Sequence, residues 1–322
     1  MKIRKYMPIL LSGLLIASLF FSSTAYAQDE ELQLPAPGIT PDSPFYFLDT
    51  LGKNIGLFFA FGPDAKAKKA IQYAEERLAE AQAMGAENKS TEVERAADGY
   101  DEFVTMAVEK AEEARQRGVS DNISEIVALA TSKHLSVLDR IKDTVPEQAK
   151  QAIAKAKEAS MNGMENALKA LAKEKPERAA EINLAAIEGT LNRAKAKADE
   201  NNIVEVEDAI NDTGKLFKFG EEISEIARGL GKDTTTVEQL VAKATSIHLE
   251  VLAKVYEKVP EQAKSAIEEA MAKSIESRQR AVEALKEKGA LGEVPEEPAI
   301  PKRVPESVKE RLSKIKPGVR RP

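Results

Sequence analysis

The segment ATSKHLSVLDRIKDTVPEQAK at 130–150 returns as ATSIHLEVLAKVYEKVPEQAK at 244–264, with 13 of 21 positions identical at an offset of 114. Upstream the match continues at an offset of 113, pairing Pro63 with Pro176, Glu75 with Glu188, Leu78 with Leu191 and Asn88 with Asn201. One residue has been inserted near the Gly118 and Gly229–Gly231 turns. Identity at a fixed offset means duplication, and a duplicated unit has to bury its apolar face the same way twice. The two units span 63–175 and 176–289.

Inside the first unit, apolar residues recur every three or four positions, the spacing of one helical face. Four helices are expected, over about 63–83, 91–115, 123–142 and 146–173. Thr91 with Glu94 and Thr235 with Glu238 fit capping boxes, in which a hydroxyl and a carboxylate satisfy free amide groups. Pro63, Pro146, Pro176 and Pro260 suit a first helical turn, where a missing N–H costs nothing. Aromatic residues are only 5% of the chain and charged residues 31%, a composition of solvated helices rather than strands. The expected fold is all-α: two tandem repeats of a four-helix unit in an elongated helical bundle. The stripes are rich in Ala, which brings helix axes close but buries little area per residue. No cysteine is present, so packing alone must stabilise the chain, and neither a thiol nucleophile nor a thiolate metal site can exist.

The segments outside the repeat differ from it. Residues 1–27 read as a signal peptide: Lys2, Arg4 and Lys5, then an apolar run from Ile9 to Phe21, then Ala25-Tyr26-Ala27 before a cleavage point at Gln28. The mature chain would carry 44 basic against 53 acidic residues, a net charge of −9, and lie in the periplasm, on the cell surface or outside the cell. Residues 28–62 form a linker and aromatic segment holding Phe45, Phe47, Phe58, Phe59 and Phe61, half of the ten phenylalanines. Residues 290–322 form a Pro/Lys/Arg-rich tail, expected to be flexible and disordered apart from one short helix over 304–315. That tail is locally basic from Lys302 and Arg303 to Arg320 and Arg321.

The run GITPDSPFYFLDTLGKNIGLFFAFGPDAKAKKAIQYAEERLAEA at 38–81, with KHLSVLDRI and VPEQAKQAI at 133–153, resembles bacterial exported proteins grouped as domain of unknown function 5667. The resemblance is close over the N-terminal motif and first unit and looser over the second. It implies an exported α-helical protein and supplies no activity, substrate or functional residue.

Candidate chemistry is sparse. His134 and His248, the only histidines, occupy equivalent places in the two repeats and are the candidates for a metal or small-ligand site. His134 lies on the apolar stripe, and its neighbours Ala130, Thr131, Val137 and Leu138 bring no carboxylate. The Glu-x-x-His pattern of bundle metal sites is absent, so the packing reading is preferred and no metal or cofactor is expected. A ligand-binding alternative requires a polar interior cavity lined by Thr131, His134 and Ser160. No Ser–His–acid arrangement and no Gly-rich phosphate loop stands out, so the chain is not expected to be an enzyme. The acidic and basic residues read as solvated helix faces. The aromatic segment 45–61 is expected to fill the end of the Ala-rich bundle, with docking through Phe58, Phe59 and Phe61 as the alternative. The expected role is a non-catalytic scaffold or interaction protein of the cell envelope. Its partner would be an envelope protein, a cell-wall polymer or a membrane surface, and its acidity argues against nucleic acid.

Overall fold

Matching turns close several helices in the two repeats, at Asn88 and Asn201, Gly118 and Gly231, and Val145 and Val259, as the computed structural model shows. The structure describes residues 32–119, 122–292, and Pro305, Glu306 and Val308. The signal-peptide segment and the tail residues Lys302, Arg303, Arg320 and Arg321 lie outside the described residues. A short helix, α1 (Tyr46–Phe58), precedes α2 (Pro63–Ala86), α3 (Ser90–Gln116), α4 (Ile123–Thr144) and α5 (Lys150–Ala172). The second repeat supplies α6 (Pro176–Asp199), α7 (Ile203–Gly229), α8 (Thr235–Lys258) and α9 (Glu261–Glu287). The fold is all-α, with two tandem repeats of four helices; no strand occurs among the described residues.

The turns explain the helix boundaries within each repeat. Asn88 and Asn201 adopt φ of 59° and 56°, the left-handed region that Asn tolerates better than most side chains. The following amides, of Lys89 and Asn202, reach back to Met84 O and Lys197 O and close the ends of α2 and α6. Gly118 and Gly231, at φ of 64° and 68°, do the same for α3 and α7. Val145 and Val259 leave α4 and α8 in extended conformation, as a residue before proline must.

Four details differ from the sequence expectation. Pro63 and Pro176 do open their helices, but Pro146 and Pro260 stand one step outside, as caps. Residues Glu147–Ala149 then form a 3₁₀ turn before α5, because Ala149 N bonds the carbonyl of Pro146, three residues back. The box at Thr235 does not form: Thr234 holds the N-cap position of α8 without bonding a helix amide, and its hydroxyl donates to Glu238 at 3.5 Å instead. Thr91 lies inside α3, which begins at Ser90 with Lys89 as its cap. Part of the tail is also anchored, since Val308 is fully buried in the main apolar cluster.

The helices pair as successive hairpins: α2 with α3, α4 with α5, α6 with α7, α8 with α9. Neighbouring hairpins stack in register, α2–α4–α6–α8 forming one layer and α3–α5–α7–α9 the other. This is the logic of an α-solenoid, in which each hairpin buries its faces only against its neighbours. Here the duplicated sequence unit is two hairpins. One apolar cluster crosses the repeat boundary, from Ala67 and Ile71 in α2 through Leu171 in α5 and Ile187 in α6 to Ile275 in α9. Among the described residues no helix is long and apolar enough to cross a membrane.

Leu171 is fully buried in that shared cluster. Leu171→Ala should lower unfolding free energy by about 2–5 kcal/mol, the usual cost of a large-to-small core change. Urea melts followed by circular dichroism measure the loss. Hydrogen exchange should quicken in both repeats, since the core is continuous across them.

Candidate functional site

The two histidines sit at matching places on α4 and α8 but in different surroundings. His134 is fully buried, and its Nδ1 lies 3.0 Å from the Tyr100 hydroxyl of α3, sharing one hydrogen bond with it. The two rings meet edge to face at 5.5 Å. A carboxylate does approach His134, though from α2 rather than its own helix: Glu75 Oε1 stands 3.7 Å from Nε2, outside hydrogen-bond range. Thr131 bonds back to Val127 O, and Ser160 donates to Thr131 O at 2.9 Å. All three residues are fully buried; the Thr131 and Ser160 hydroxyls are spent on backbone carbonyls, and Nε2 of His134 has no hydrogen-bond partner.

In the second repeat the position of Tyr100 is held by Thr213, and His248 faces the Phe217 ring at 5.9 Å instead. Beside them is a cavity of about 60 Å³, lined from all four helices α6 to α9. That volume admits several waters or a small molecule, since one water needs about 10–15 Å³ by the same measure. Asn183 on α6 donates to Leu216 O at 3.0 Å, while its buried Oδ1 has no partner. Ser277 Oγ on α9 is also buried and unpartnered. Glu238 is 4% exposed, and burial raises its carboxyl above the usual range against the opposing pull of Arg228 and Lys288. Burial lowers His248 to about 4, so it is neutral near pH 7. Among the described residues no group of three or more His, Asp or Glu could hold a metal ion.

The aromatic segment is placed differently from the expectation that it fills the end of the bundle. Helix α1 turns its charges inward and its apolar stripe outward. Lys53 is 4% exposed and lies 2.6 Å from Asp49 and 2.8 Å from Glu76. Arg77 of α2, also buried, pairs with Asp49 at 2.8 Å and with Glu80, and its guanidinium stacks over the Tyr46 ring at 4.9 Å. The Tyr46 hydroxyl donates to Glu80 Oε2 at 3.1 Å. Only Lys53 and Leu57 of α1 are buried, whereas Phe58 is 76% exposed and Phe61, just beyond the helix, 84%. Phe45, Phe47 and Phe59 are exposed as well. The reason lies in α2: the face that receives α1 carries Arg77 and Glu80, and buried charges demand charged partners before apolar ones. Sequence reasoning took these charges for solvated faces. The signal that could have found them is the i, i+4 pair Asp49–Lys53, set on the side of α1 opposite Leu48, Leu51 and Ile55.

A shallow groove of about 660 Å³ runs between α1 and α3. Leu57 and Phe58 form one wall, and Asp98, Asp101, Glu102 and Glu109 outnumber Lys66 and Lys110 along the rest.

Two buried groups should pull stability in opposite directions with pH. Burial raises Glu80 to about 6, despite Arg77 and Lys53, so its proton stabilises the fold fully below pH 4.5 and that contribution is lost as pH rises through 6. Burial lowers His248, so its contribution is present above pH 6.5 and lost as pH falls towards 4. At full effect the histidine term is about 3 kcal/mol. Urea melts from pH 7 to 4.5 should show His248→Leu losing less stability than the wild type on acidification, and Glu80→Gln losing more.

Comparison with known proteins adds the following. Residues 38–148, which cover α1 to α4, match the family model described as domain of unknown function, DUF5667. No curated protein matches the sequence. Among solved structures, the chain is similar to a circular tandem repeat protein described as having novel repeat topology and enhanced subunit contact surfaces. The TM-score is 0.57 at 14% identity, over 74% of this chain and 52% of that one. The chain thus spans about half the length of that protein, and the likeness is one of fold: tandem helical repeats. The match runs from the inverted helix α1 to the turn that ends α4, about a third of the chain.

Proposed function

We propose that the protein is a non-catalytic, exported helical scaffold that holds a cationic segment of an envelope protein. The docking surface is α1 together with the acidic groove beside it. The observation that carries this reading is the inversion of α1. A helix whose Lys53 and Asp49 are covered while Leu48, Leu51, Ile55 and Phe58 face water keeps an apolar stripe ready for another surface. Phe59 and Phe61 extend the stripe past the helix end, and Phe58 and Phe59 brace one another edge to face at 5.3 Å. Buried ion pairs hold α1 in place, so its aromatic side is not needed to attach it.

Charge selects among occupants. The four carboxylates of the groove would repel an anionic membrane surface or an anionic wall polymer, and would attract Lys and Arg. A polypeptide segment alternating apolar and basic side chains meets both halves of the surface. The leader pattern of residues 1–27 supports an encounter outside the cytoplasm.

The test uses a defined amphipathic Lys/Leu peptide, its Glu/Leu counterpart and vesicles containing anionic lipid. The full mature chain should bind the basic peptide, less tightly as salt rises, and bind neither of the others. Phe58→Asp with Phe61→Asp should abolish binding and leave the melting temperature unchanged, because both rings are solvent-exposed. Preference for the vesicles, or equal binding by the double variant, would overturn the reading.

A further inference from the structure

We infer that the second repeat contains a binding site for a small organic ammonium compound, in the cavity beside His248, which the first repeat does not have. It is independent of the α1 surface.

The comparison between the repeats carries this. Because the two share one fold, every position lining the cavity has a counterpart in the first repeat, and several have changed in one direction. Asn183 replaces Ala70, Ser224 replaces Ala111, Glu238 replaces Ser124 and Ser277 replaces Gly163. His248 and Thr245 keep the identities of His134 and Thr131. In the first repeat these places form tight core. A Cβ on Gly163 would come within 2.9 Å of Val104 and 3.3 Å of Thr131, so a serine has no room there. In the second, the counterpart of Ala107 is Gly220, and a Cβ on it would lie 3.1 Å from the Asn183 amide nitrogen. The loss of that methyl makes space for the asparagine. Core packing alone gives no reason to exchange alanines for polar groups, since a buried polar atom without a partner costs about 1–3 kcal/mol.

The unpaired groups say what would fit. Asn183 is 1% exposed, and its free Oδ1 can only accept a hydrogen bond. Glu238 adds a buried carboxylate, and Ser277 Oγ a hydroxyl with no partner. Arg228 and Arg280 are exposed, and Arg280 is already engaged by Glu221 and Glu276. The inner wall is thus rich in acceptors and asks for a donor, with Leu184, Ile187 and Phe217 offering an apolar seat for a short body. A primary ammonium group on a short alkyl chain meets both. The small volume limits the ligand to a few heavy atoms and its affinity to about the millimolar range.

n-Butylammonium is the probe, with butanoate and butanol as controls of equal length, titrated into the mature full chain by calorimetry and by NMR of the two histidine ring protons. Saturable binding of butylammonium alone is expected, with the His248 resonance moving and that of His134 still. Asn183→Ala and Ser277→Gly install the residues that the first repeat already uses. Each should weaken binding at least about tenfold; Asn183→Ala should do so without lowering the melting temperature, whereas Ser277→Gly, in the interior of α9, should lower it slightly. Absence of saturation, movement of neither histidine, equal binding of butanoate, or unchanged affinity in both variants would overturn the site and leave a cavity that holds water only.

Discussion

The structure depends on buried charge at the face where each repeat receives the element before it. A stack of helical hairpins has no closed core, and every face left uncovered must be met by a neighbour or by water. The first helix of each repeat looks back towards what precedes it, and at the same position it carries a charge: Glu80 in α2, Arg193 in α6. Glu80, with Arg77, receives α1 through Asp49, Tyr46 and Lys53. Arg193 receives α4 and reaches on to α7, pairing with Asp139 and Glu205. Lys157 of α5 completes that seam, 2.6 Å from Asp139 and 2.5 Å from Asp212. Burial pushes the Asp139 carboxyl up while Lys157 and Arg193 hold it down, so the aspartate depends on both cations. Such networks contribute little net stability compared with apolar packing, but a mismatched partner leaves a charge stranded at several kcal/mol. In a chain whose repeats are similar enough to pair wrongly, that penalty selects which hairpin stacks on which.

Much of this was legible in the sequence because helices announce themselves locally. The stripes, the paired Asn88 and Asn201 turns and the prolines at 63 and 176 report short-range physics, and the duplication lets each repeat check the other. The seams were not legible for the opposite reason. Asp139, Lys157 and Asp212 look like the polar residues of any solvated helix, and nothing within four residues distinguishes them. Their counterparts do: Ala253, Met271 and Gly99 are uncharged, so the charges exist only where two hairpins of different repeats meet. A position charged in one copy and uncharged in the other is a mark of location in the stack.

The same rule explains why α1 was misread. Aromatic residues in an Ala-rich protein suggest core filler, and the argument from area favours burying them. The receiving face, however, already held Arg77 and Glu80, and leaving those two unpaired costs more than leaving a few phenylalanines wet. The orientation of α1 was settled by the helix it lands on. Its exposed stripe is a consequence of the docking chemistry, and this makes it available for a second use.

Duplication also accounts for the divergence of the two interiors. A single copy must keep its core closed, because Tyr100, His134, Thr131 and Ser160 fill the space between four helices and any opening weakens the only body present. With two copies stacked on a shared apolar cluster, stability lost in one is partly carried by contacts with the other. Where the first repeat has Tyr100 the second has Thr213, with Asn183, Glu238 and Ser277 around a histidine held neutral by burial. The first repeat, held by α1 on one side and by the Asp139 seam on the other, kept the dense packing. Proteins commonly give up local stability where a site is needed and recover it elsewhere. Here the recovery is visible as a matched pair: one closed copy, tied at both faces by ions, beside one copy whose interior stays open and polar.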